Sequence, residues 1–280
     1  MTPDQLSRSV LRSVHRAVAA GVLPATEEPD RVTLRKPPHG DADYASNIAL
    51  RLAPAVGRPA REIAEILRPS LAAEPGVAAV AVAGAGFLNI RVDPGGRTAA
   101  VRALLAGAHR APGRTPGARV PGPVPPAEDP AGDAARWAAA TGTAPNWERR
   151  HSNPLFRVQY AHARTRALLA GARDLGLAPE PGRYDTRAEA ALIARLGEAA
   201  RVGGQAASRA TGPEGGARLA YRLEAAADAF FDFHDAHPVL PRGDEKPEAA
   251  HRSRLALAEA TGTVLAGGLA ELGISAPNHL

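Results

Sequence analysis

The segment from residue 112 to residue 130 limits the fold more than any other part of the sequence. Its seven prolines and three glycines leave little room for regular structure, because proline lacks a backbone donor and blocks both helix and sheet. We therefore predict a stiff, extended linker over 111–130. It divides the chain into a domain over 1–110 and a second domain over 131–280.

Composition and charge narrow the class of function. The net charge of +5 and the pI of 10.2 favour acidic partners, nucleic acid first, although basic and acidic residues are interspersed. The absence of cysteine excludes disulfides, thiolate metal sites and thiol nucleophiles. No apolar run approaches the roughly 18 residues of a membrane span and no signal-peptide pattern is present, so we predict a soluble, cytoplasmic protein.

The first 110 residues predict a small α+β domain. The expected elements are a helix over 4–20, a strand over 31–35, a loop over 39–47 leading into a helix, a helix after Pro59 that Pro69 kinks or ends, a buried strand over 77–83, a returning strand over 87–92 and a helix over about 96–109. The turn at Gly84–Gly86 joins the last two strands in an antiparallel hairpin.

The residues after the linker predict only helices. Their expected spans are 132–140, 154–176, about 187–202, 218–236 and 248–273, with breaks at Gly203–Gly204 and from Gly212 to Gly216. The predicted fold class of the whole chain is therefore α+β, a small antiparallel sheet with helices joined to an all-α bundle.

A second informative stretch covers residues 153–166, Asn-Pro-Leu-Phe-Arg-Val-Gln-Tyr-Ala-His-Ala-Arg-Thr-Arg. Asn153 and Pro154 suit the N-cap and first position of a helix. The helical spacing puts Phe156 and Tyr160 on one face with Ala163. The donors Gln159, His162, Arg164 and Arg166 are expected on its flanks.

Two interpretations of this helix stay open on its residues alone. An aromatic ring beside arginines suits an unstacked nucleic-acid base. An amphipathic helix with a basic solvent face explains the same residues and is the more common case.

The sequence of residues 153–164 resembles the start of the DALR-type anticodon-binding domain of arginyl-tRNA synthetases, where the motif Asn-Pro-x-Phe-x-Val-Gln-Tyr-Ala-His-Ala-Arg recurs. The last fourteen residues, 267–280, also resemble the end of these enzymes, with leucine in place of a final methionine. In the family, the terminal residue forms a pocket for the middle anticodon base with the Tyr and Arg of the first phrase. The resemblance therefore implies anticodon binding by Tyr160, Arg164 and Leu280; simple packing contacts at the end of a helical bundle are the alternative.

The hairpin carries the third point of resemblance. Residues 84–89 resemble the Gly-Pro-Gly-(Phe/Tyr)-(Leu/Ile)-Asn hairpin of the N-terminal synthetase domain, with Ala85 in place of the proline. The family's Gly-Asp-Tyr loop has a counterpart with an insertion at 40–44. The resemblance implies that Phe87 and Asn89 bind the tRNA D-loop, and alternate strand residues do share a face. The alternative is a hairpin with a core phenylalanine and a turn-stabilising asparagine.

The catalytic parts of the family are missing from the sequence. Nothing matches a His-x-Gly-His turn, and the isolated lysines Lys36 and Lys246 cannot form a Lys-Met-Ser-Lys loop. Residues 132–137 resemble the helix that follows that loop in the family. The chain thus resembles a synthetase paralogue without the catalytic domain, so we expect no enzymatic activity, no catalytic residue and no cofactor.

Other candidate sites are weaker. His234 and His237 supply two metal ligands at most, so we expect no metal site. The glycine pairs at 203–204 and 215–216 lack the strand, helix and lysine of a phosphate-binding loop.

Two functions remain in view. The first is a non-catalytic tRNA-binding protein that contacts the D-loop and the anticodon of arginine tRNA. The alternative is a protein-interaction module or accessory subunit for a full-length synthetase or for a biosynthetic enzyme that uses arginyl-tRNA.

Overall fold

The computed structural model of the protein describes residues 3–25, 32–37, 42–107, 129–209 and 213–280. The chain forms two compact units, unit 1 over residues 1–100 and unit 2 over residues 101–280. A sheet with helices in unit 1 and a helical unit 2 confirm the predicted α+β class. The predicted linker over 111–130 lies outside the described residues except for its last two positions.

The elements of unit 1 are α1 (Pro3–Ala19), β1 (Leu34–Arg35), β2 (Tyr44–Ser46), α2 (Ile48–Val56), α3 (Ala60–Ala72), β3 (Val77–Ala83), β4 (Phe87–Val92) and the start of α4 (Pro94–Gly107). The elements of unit 2 that follow are α5 (Pro130–Thr141), α6 (Pro154–Asp174), α7 (Arg187–Arg209), α8 (Pro213–Ala236) and α9 (Ala249–Glu271).

Unit 1 is built on a four-stranded antiparallel sheet with the strand order β1-β2-β4-β3. The inward residues of β4, Leu88, Ile90 and Val92, are buried. The helices α1, α2 and α3 complete this core with apolar residues at helical spacing, among them Leu6, Val10, Ile48, Leu52, Ile63 and Leu67. The other face of β4 is not covered by any helix of the described residues. Buried and more exposed side chains therefore alternate along the strand, as is usual for an antiparallel sheet with one covered face.

The residues expected to form a loop over 39–47 contain a strand instead. Tyr44–Ser46 is β2 and pairs with β4 on one side and β1 on the other. Its pattern, with Tyr44 and Ser46 buried, is too short to give a detectable period in the sequence. Its structure is decided by pairing with β4, whose partner residues lie 42 to 46 positions further along the chain, from Ser46 with Leu88 to Tyr44 with Ile90.

One further expectation in unit 1 was wrong, and of the two effects expected of Pro69, a kink or an end, the end does not occur. β3 is not a buried strand: it pairs on one side only, and Val77 alone among its residues is buried. Pro69 does not end α3, which continues to Ala72. Pro69 lies in the last turn, and the fully buried Leu71 anchors that turn to the core.

Unit 2 consists of packed helices in its described residues. The glycine pairs expected to break the chain lie inside helices, since α7 continues to Arg209 and α8 begins at Pro213. A glycine within a helix costs only about 1 kcal/mol relative to alanine, so tertiary packing can override the local preference. Residues 210–212 lie outside the described part of the chain.

The contact between α6 and α9 depends on a glycine. A Cβ atom at Gly262 of α9 would lie 2.4 Å from Oγ1 of Thr165 on α6, well inside van der Waals contact. Thr165 is fully buried and its hydroxyl donates a 2.7 Å hydrogen bond to the carbonyl of His162. The hydroxyl therefore cannot rotate away without losing a buried hydrogen bond.

We predict opposite effects for two glycine substitutions in α9. Gly262→Ala should lower the free energy of unfolding by about 1–3 kcal/mol, because an extra methyl group overpacks the helix contact. Gly267→Ala should leave stability unchanged or raise it by up to about 1 kcal/mol, because this exposed glycine has no atom within 4 Å of the added Cβ. Urea unfolding of both variants tests the pair, and equal effects would contradict the close contact.

Candidate nucleic-acid interface

The open face of β4 places the two hairpin residues of interest side by side. Phe87 and Asn89 point away from the buried residues Leu88 and Ile90, and Arg91 follows them on the same face. Phe87 is 42% exposed, so the alternative of a core phenylalanine is wrong. The side chain of Asn89 forms no hydrogen bond with another residue in the described ranges, which leaves its amide available to a ligand.

The neighbours of these residues across the sheet are small. Ala83 pairs with Phe87 and Ala79 with Arg91, while Asn89 lies between Ala81 on β3 and Ala45 on β2. Side chains of paired residues stand on the same face about 5 Å apart, so methyl groups flank the ring and the amide and do not cover them. The result is a shallow strip that carries an aromatic ring, an amide and a guanidinium group.

The hairpin turn is held against α3. Gly86 has a φ of 129°, and a Cβ atom there would lie 2.6 Å from the carbonyl carbon of Ala60. Nη1 of Arg61 donates a 3.1 Å hydrogen bond to the carbonyl of Gly84. These contacts fix the start of β4, where Phe87 is located.

Asp43 and Tyr44, in the counterpart of the family's Gly-Asp-Tyr loop, have structural contacts. The carboxylate of Asp43 accepts a 2.7 Å hydrogen bond from the backbone N–H of Val92 and lies 3.3 Å from Nη2 of Arg97. Tyr44 is buried in the core. Residues 38–41 are outside the described part of the chain.

In unit 2, α6 begins as its sequence predicts. Oδ1 of Asn153 accepts a 3.2 Å hydrogen bond from the N–H of Leu155, and Pro154 is the first helical residue. The ring of Tyr160 then stacks on that of Phe156, with centroids 5.6 Å apart and an interplanar angle of 10°.

Tyr160 belongs to an aromatic cluster formed by His151, Phe156, Tyr160 and Phe231. The ring of Phe231, on α8, stacks against Tyr160 at 5.8 Å, and His151 meets Tyr160 edge-on at 5.5 Å. Tyr160 is half-buried, and its hydroxyl forms no hydrogen bond within the described residues. The cluster thus fixes the ring orientation, and the residue remains partly exposed.

Tyr160 and Arg164 line one depression, of about 650 Å³, between α6 and α8. Nε of Arg164 lies 3.4 Å from Nε2 of His234. Arg157 lines the same depression, but Asp228 holds its guanidinium at 3.0 Å and Glu224 at 3.7 Å.

Charge around this depression is mixed. Its walls include three aspartates, Asp228, Asp232 and Asp235, against the two arginines Arg157 and Arg164. Local carboxylates therefore outnumber local guanidinium groups, although the whole chain carries a net charge of +5. A site of this kind should bind a phosphate group weakly, because three carboxylates repel it.

Leu280, the third residue of the predicted anticodon pocket, lines a different depression from the other two. It is 41% exposed and lines a second depression, together with Phe156, Gln159 and Trp147. The structure therefore places Tyr160 and Arg164 in one depression and Leu280 in another, and Phe156, which stacks on Tyr160, lines the second.

The second depression is organised by the buried carboxylate of Asp133 on α5. Its two oxygens accept hydrogen bonds from the N–H and hydroxyl of Ser275 and from Nε2 of Gln159, and Nη2 of Arg136 lies 2.7 Å away. Gln159 also donates to the carbonyl of Ser275 at 3.0 Å. The chain after α9 is thereby fixed to both α5 and α6.

These contacts correct two expectations about the flanks of α6. Gln159 is engaged by Asp133 and Ser275, and His162 is buried, with Nδ1 3.0 Å from the carbonyl of Pro277. Both therefore hold the C-terminal residues and are not donors on an exposed flank. Arg164 and Arg166 are exposed as expected.

Sequence reasoning missed three residues of this region. Phe231 follows the fully buried Phe230, and adjacent helical residues point about 100° apart, so the two rings face different surroundings. Nothing local indicates which one. His151 and Trp147 precede α6 in a segment without periodicity, and their positions follow only from tertiary contacts.

The two histidines considered as metal ligands contact different groups. Nε2 of His237 lies 3.0 Å from Oγ1 of Thr186, whereas His234 contacts Arg164. No cluster of three metal-binding side chains occurs among the described residues. None of the helices in that part of the chain is long and apolar enough to cross a bilayer.

Comparison with known families gives a match in each unit. Residues 4–92 match the arginyl tRNA synthetase N terminal domain, and residues 158–280 match the DALR anticodon binding domain. Both units are thus related to tRNA-binding domains. The chain is an arginyl-tRNA synthetase-like protein, and the region between the two matches, 93–157, lacks the catalytic domain.

We predict that the burial of His162 makes unit 2 less stable in mild acid. Burial lowers the pKa of His162 from its usual 6.5, because the charged imidazolium loses its hydration. The native state therefore favours the neutral ring, and this contribution is present above about pH 6.5 and is lost as the pH falls through the lowered pKa. The free energy of unfolding of the wild type should decrease between pH 8 and pH 5.

His162→Asn is the matched variant, because its Nδ2 can donate to Pro277 and does not titrate. The stability difference between wild type and variant should shrink as the pH falls. Parallel pH profiles from thermal or urea unfolding would contradict a buried neutral His162.

Proposed function

We propose that this chain is a non-catalytic tRNA-binding protein, whose unit 1 contacts the D-loop and whose unit 2 contacts the anticodon of arginine tRNA. The observation that carries the proposal is that neither aromatic residue singled out by the family resemblance is fully buried. Phe87 is exposed on β4, and Tyr160 is half-buried and lines a depression. With tRNA as the partner, the proposed location is the cytoplasm.

The strip on β4 supports a base contact in the D-loop. The ring of Phe87 offers a surface for stacking, which is worth about 1–3 kcal/mol per base. Asn89 offers a donor and an acceptor for a base edge. Arg91 on the same face suits a neighbouring phosphate.

The depression at Tyr160 supports a base rather than a phosphate. Tyr160, held by Phe156 and Phe231, supplies the uncovered part of its ring and its hydroxyl, and Arg164 supplies donors. The carboxylates of Asp232 and Asp235, the latter 3.4 Å from Nδ1 of His234, suit the exocyclic amino group of a base, since carboxylates accept hydrogen bonds from such groups. Leu280 is proposed as an apolar contact for the same loop in the neighbouring depression.

A second candidate function is supported by the acidic walls of the first depression. Three aspartates around an aromatic ring also suit a basic segment of a protein partner, through ion pairs and cation–π contacts. On this alternative the chain is an accessory subunit for a full-length synthetase or for an enzyme that uses arginyl-tRNA.

The first test separates the two contacts. Tyr160→Ala should weaken tRNA binding by about 1–3 kcal/mol and remove the preference for the natural middle anticodon base. Phe87→Ala should cost a similar amount and leave that preference intact, because its contact is with the D-loop. Filter binding at several salt concentrations, with arginine tRNA and with a middle-base variant, measures both effects.

Wild-type affinity should also fall steeply with salt, because phosphate contacts release counterions. Equal affinity for the two RNAs would remove the anticodon assignment. Co-purification of a protein partner in the absence of RNA binding would favour the accessory-subunit alternative.

The second test concerns catalysis. The purified protein should show no arginine-dependent exchange of pyrophosphate with ATP, because no catalytic domain is matched between the two ends. A full-length arginyl-tRNA synthetase in the same assay is the positive control. Exchange by the pure protein above the blank would overturn the non-catalytic assignment.

A further inference from the structure

The loop that joins α5 to α6 exposes an unusually large apolar side chain. Trp147 is 70% exposed, the highest value for any large hydrophobic residue in the described ranges. Tryptophan is highly buried on average, so holding the whole indole in water is unfavourable for an isolated domain. This degree of exposure calls for a partner.

The loop is fixed on both sides of the indole. Nδ2 of Asn153 donates to the carbonyls of Asn146 and Glu148, at 3.0 and 2.9 Å. The N–H of Glu148 in turn donates to Oδ1 of Asn146 at 2.9 Å. Because both chain neighbours of Trp147 are held, its exposure belongs to an ordered, pre-organised loop rather than to a frayed segment.

The indole borders the aromatic cluster described above. Trp147 shares the second depression with Phe156 and Leu280, and Phe156 stacks on Tyr160, which lines the first depression. A ligand that occupies both depressions therefore passes from the ring of Tyr160 to the indole of Trp147. Consecutive unstacked bases of one RNA strand have this form.

The charges beside Trp147 differ from those around Tyr160. Arg149 and Arg150 follow it, and both side chains are exposed. Glu148 lies 3.9 Å from Arg150 in a weak, solvent-exposed pair, and Arg149 forms no ion pair with a described residue. The loop thus combines a π-surface with one guanidinium group in a weak ion pair, that of Arg150, and one without an ion pair among the described residues, that of Arg149, a combination that suits single-stranded RNA.

We propose that Trp147 is a second base-stacking platform, which binds an unpaired base of the same RNA segment that contacts Tyr160, while Arg149 and Arg150 contact the adjoining phosphates. The occupant is a single-stranded loop of RNA. The inference rests on the proposed tRNA-binding function and adds a contact outside the three residues that the family resemblance assigns to the anticodon.

The binding test uses the full chain and a stem-loop RNA with the anticodon arm sequence of arginine tRNA. Trp147→Ala should raise the Kd between about 5- and 150-fold, the range that corresponds to one stacked base. Trp147→Phe should recover part of the loss, because a smaller ring still stacks. Tyr221→Ala is the matched control, since Tyr221 is 64% exposed on α8 and lines neither depression, and its Kd should stay within twofold of wild type.

A second readout follows the indole directly. The chain has two tryptophans, and Trp137 is buried, so acrylamide quenching in wild type minus that in Trp147→Phe reports on Trp147. Addition of the stem-loop should shield Trp147 from acrylamide. Equal melting temperatures of wild type and both Trp147 variants exclude a folding defect.

The outcomes separate the two proposals. If wild type binds the RNA and Tyr160→Ala weakens it, but Trp147→Ala matches the Tyr221→Ala control, only the second platform is overturned. If wild type binds no RNA, the proposed function and the platform fail together. Shielding of Trp147 by a full-length synthetase but not by RNA would also overturn the platform and assign the loop to a protein interface.

Discussion

The candidate anticodon face depends on one buried carboxylate. Asp133 is almost completely shielded from water, and hydrogen bonds from Ser275 and Gln159 together with the Arg136 guanidinium compensate its lost hydration. A buried charge is tolerated only when its acceptor positions are filled, so removal of any partner leaves an expensive unpaired group. The same bonds decide where the last residues of the chain lie. The position of Leu280 and the shape of the second depression therefore follow from an interaction beneath the surface, between residues 142 positions apart in the sequence.

The distribution of charge separates long-range attraction from local recognition. The chain as a whole is basic, which favours encounter with nucleic acid, whereas the depression at Tyr160 contains more carboxylates than guanidinium groups. The guanidinium group of Arg157 is paired with the carboxylates of Asp228 and Glu224. What remains accessible there is the Tyr160 ring, Arg164 and hydrogen-bond acceptors. The loop with Trp147 has the complementary character, with cations and few acceptors.

Local sequence signals predicted most of the fold. Helical periodicity, the Asn153–Pro154 start and the Gly84–Gly86 hairpin all led to correct elements, because each is set by residues close together in the chain. β2 was missed because three residues carry no period and its structure comes from pairing with β4. The glycine breaks at 203–204 and 215–216 were wrong because the helix penalty of glycine is modest, and α7 and α8 run through both pairs.

The candidate site was predictable to a lesser degree. Alternation on β4 indicated that Phe87 and Asn89 share a face, and helical spacing brought Phe156 close to Tyr160. The true environments of Gln159 and His162 could not be read from α6, since their partners Ser275 and Pro277 lie more than 100 residues away. The depression that Leu280 lines and the position of Trp147 likewise follow from tertiary contacts.

The alanines beside β4 give the strip on unit 1 a property of its own. Ala81 and Ala45 flank Asn89 from the two neighbouring strands, and Ala83 lies next to Phe87. A bulkier side chain at any of these positions would sterically block access to the Phe87 ring or the Asn89 amide, although both residues would be unchanged. Access to this surface is thus controlled by alanines that offer no polar or aromatic group to a ligand. Substitution of these alanines alone could abolish or restore binding at the surface during evolution.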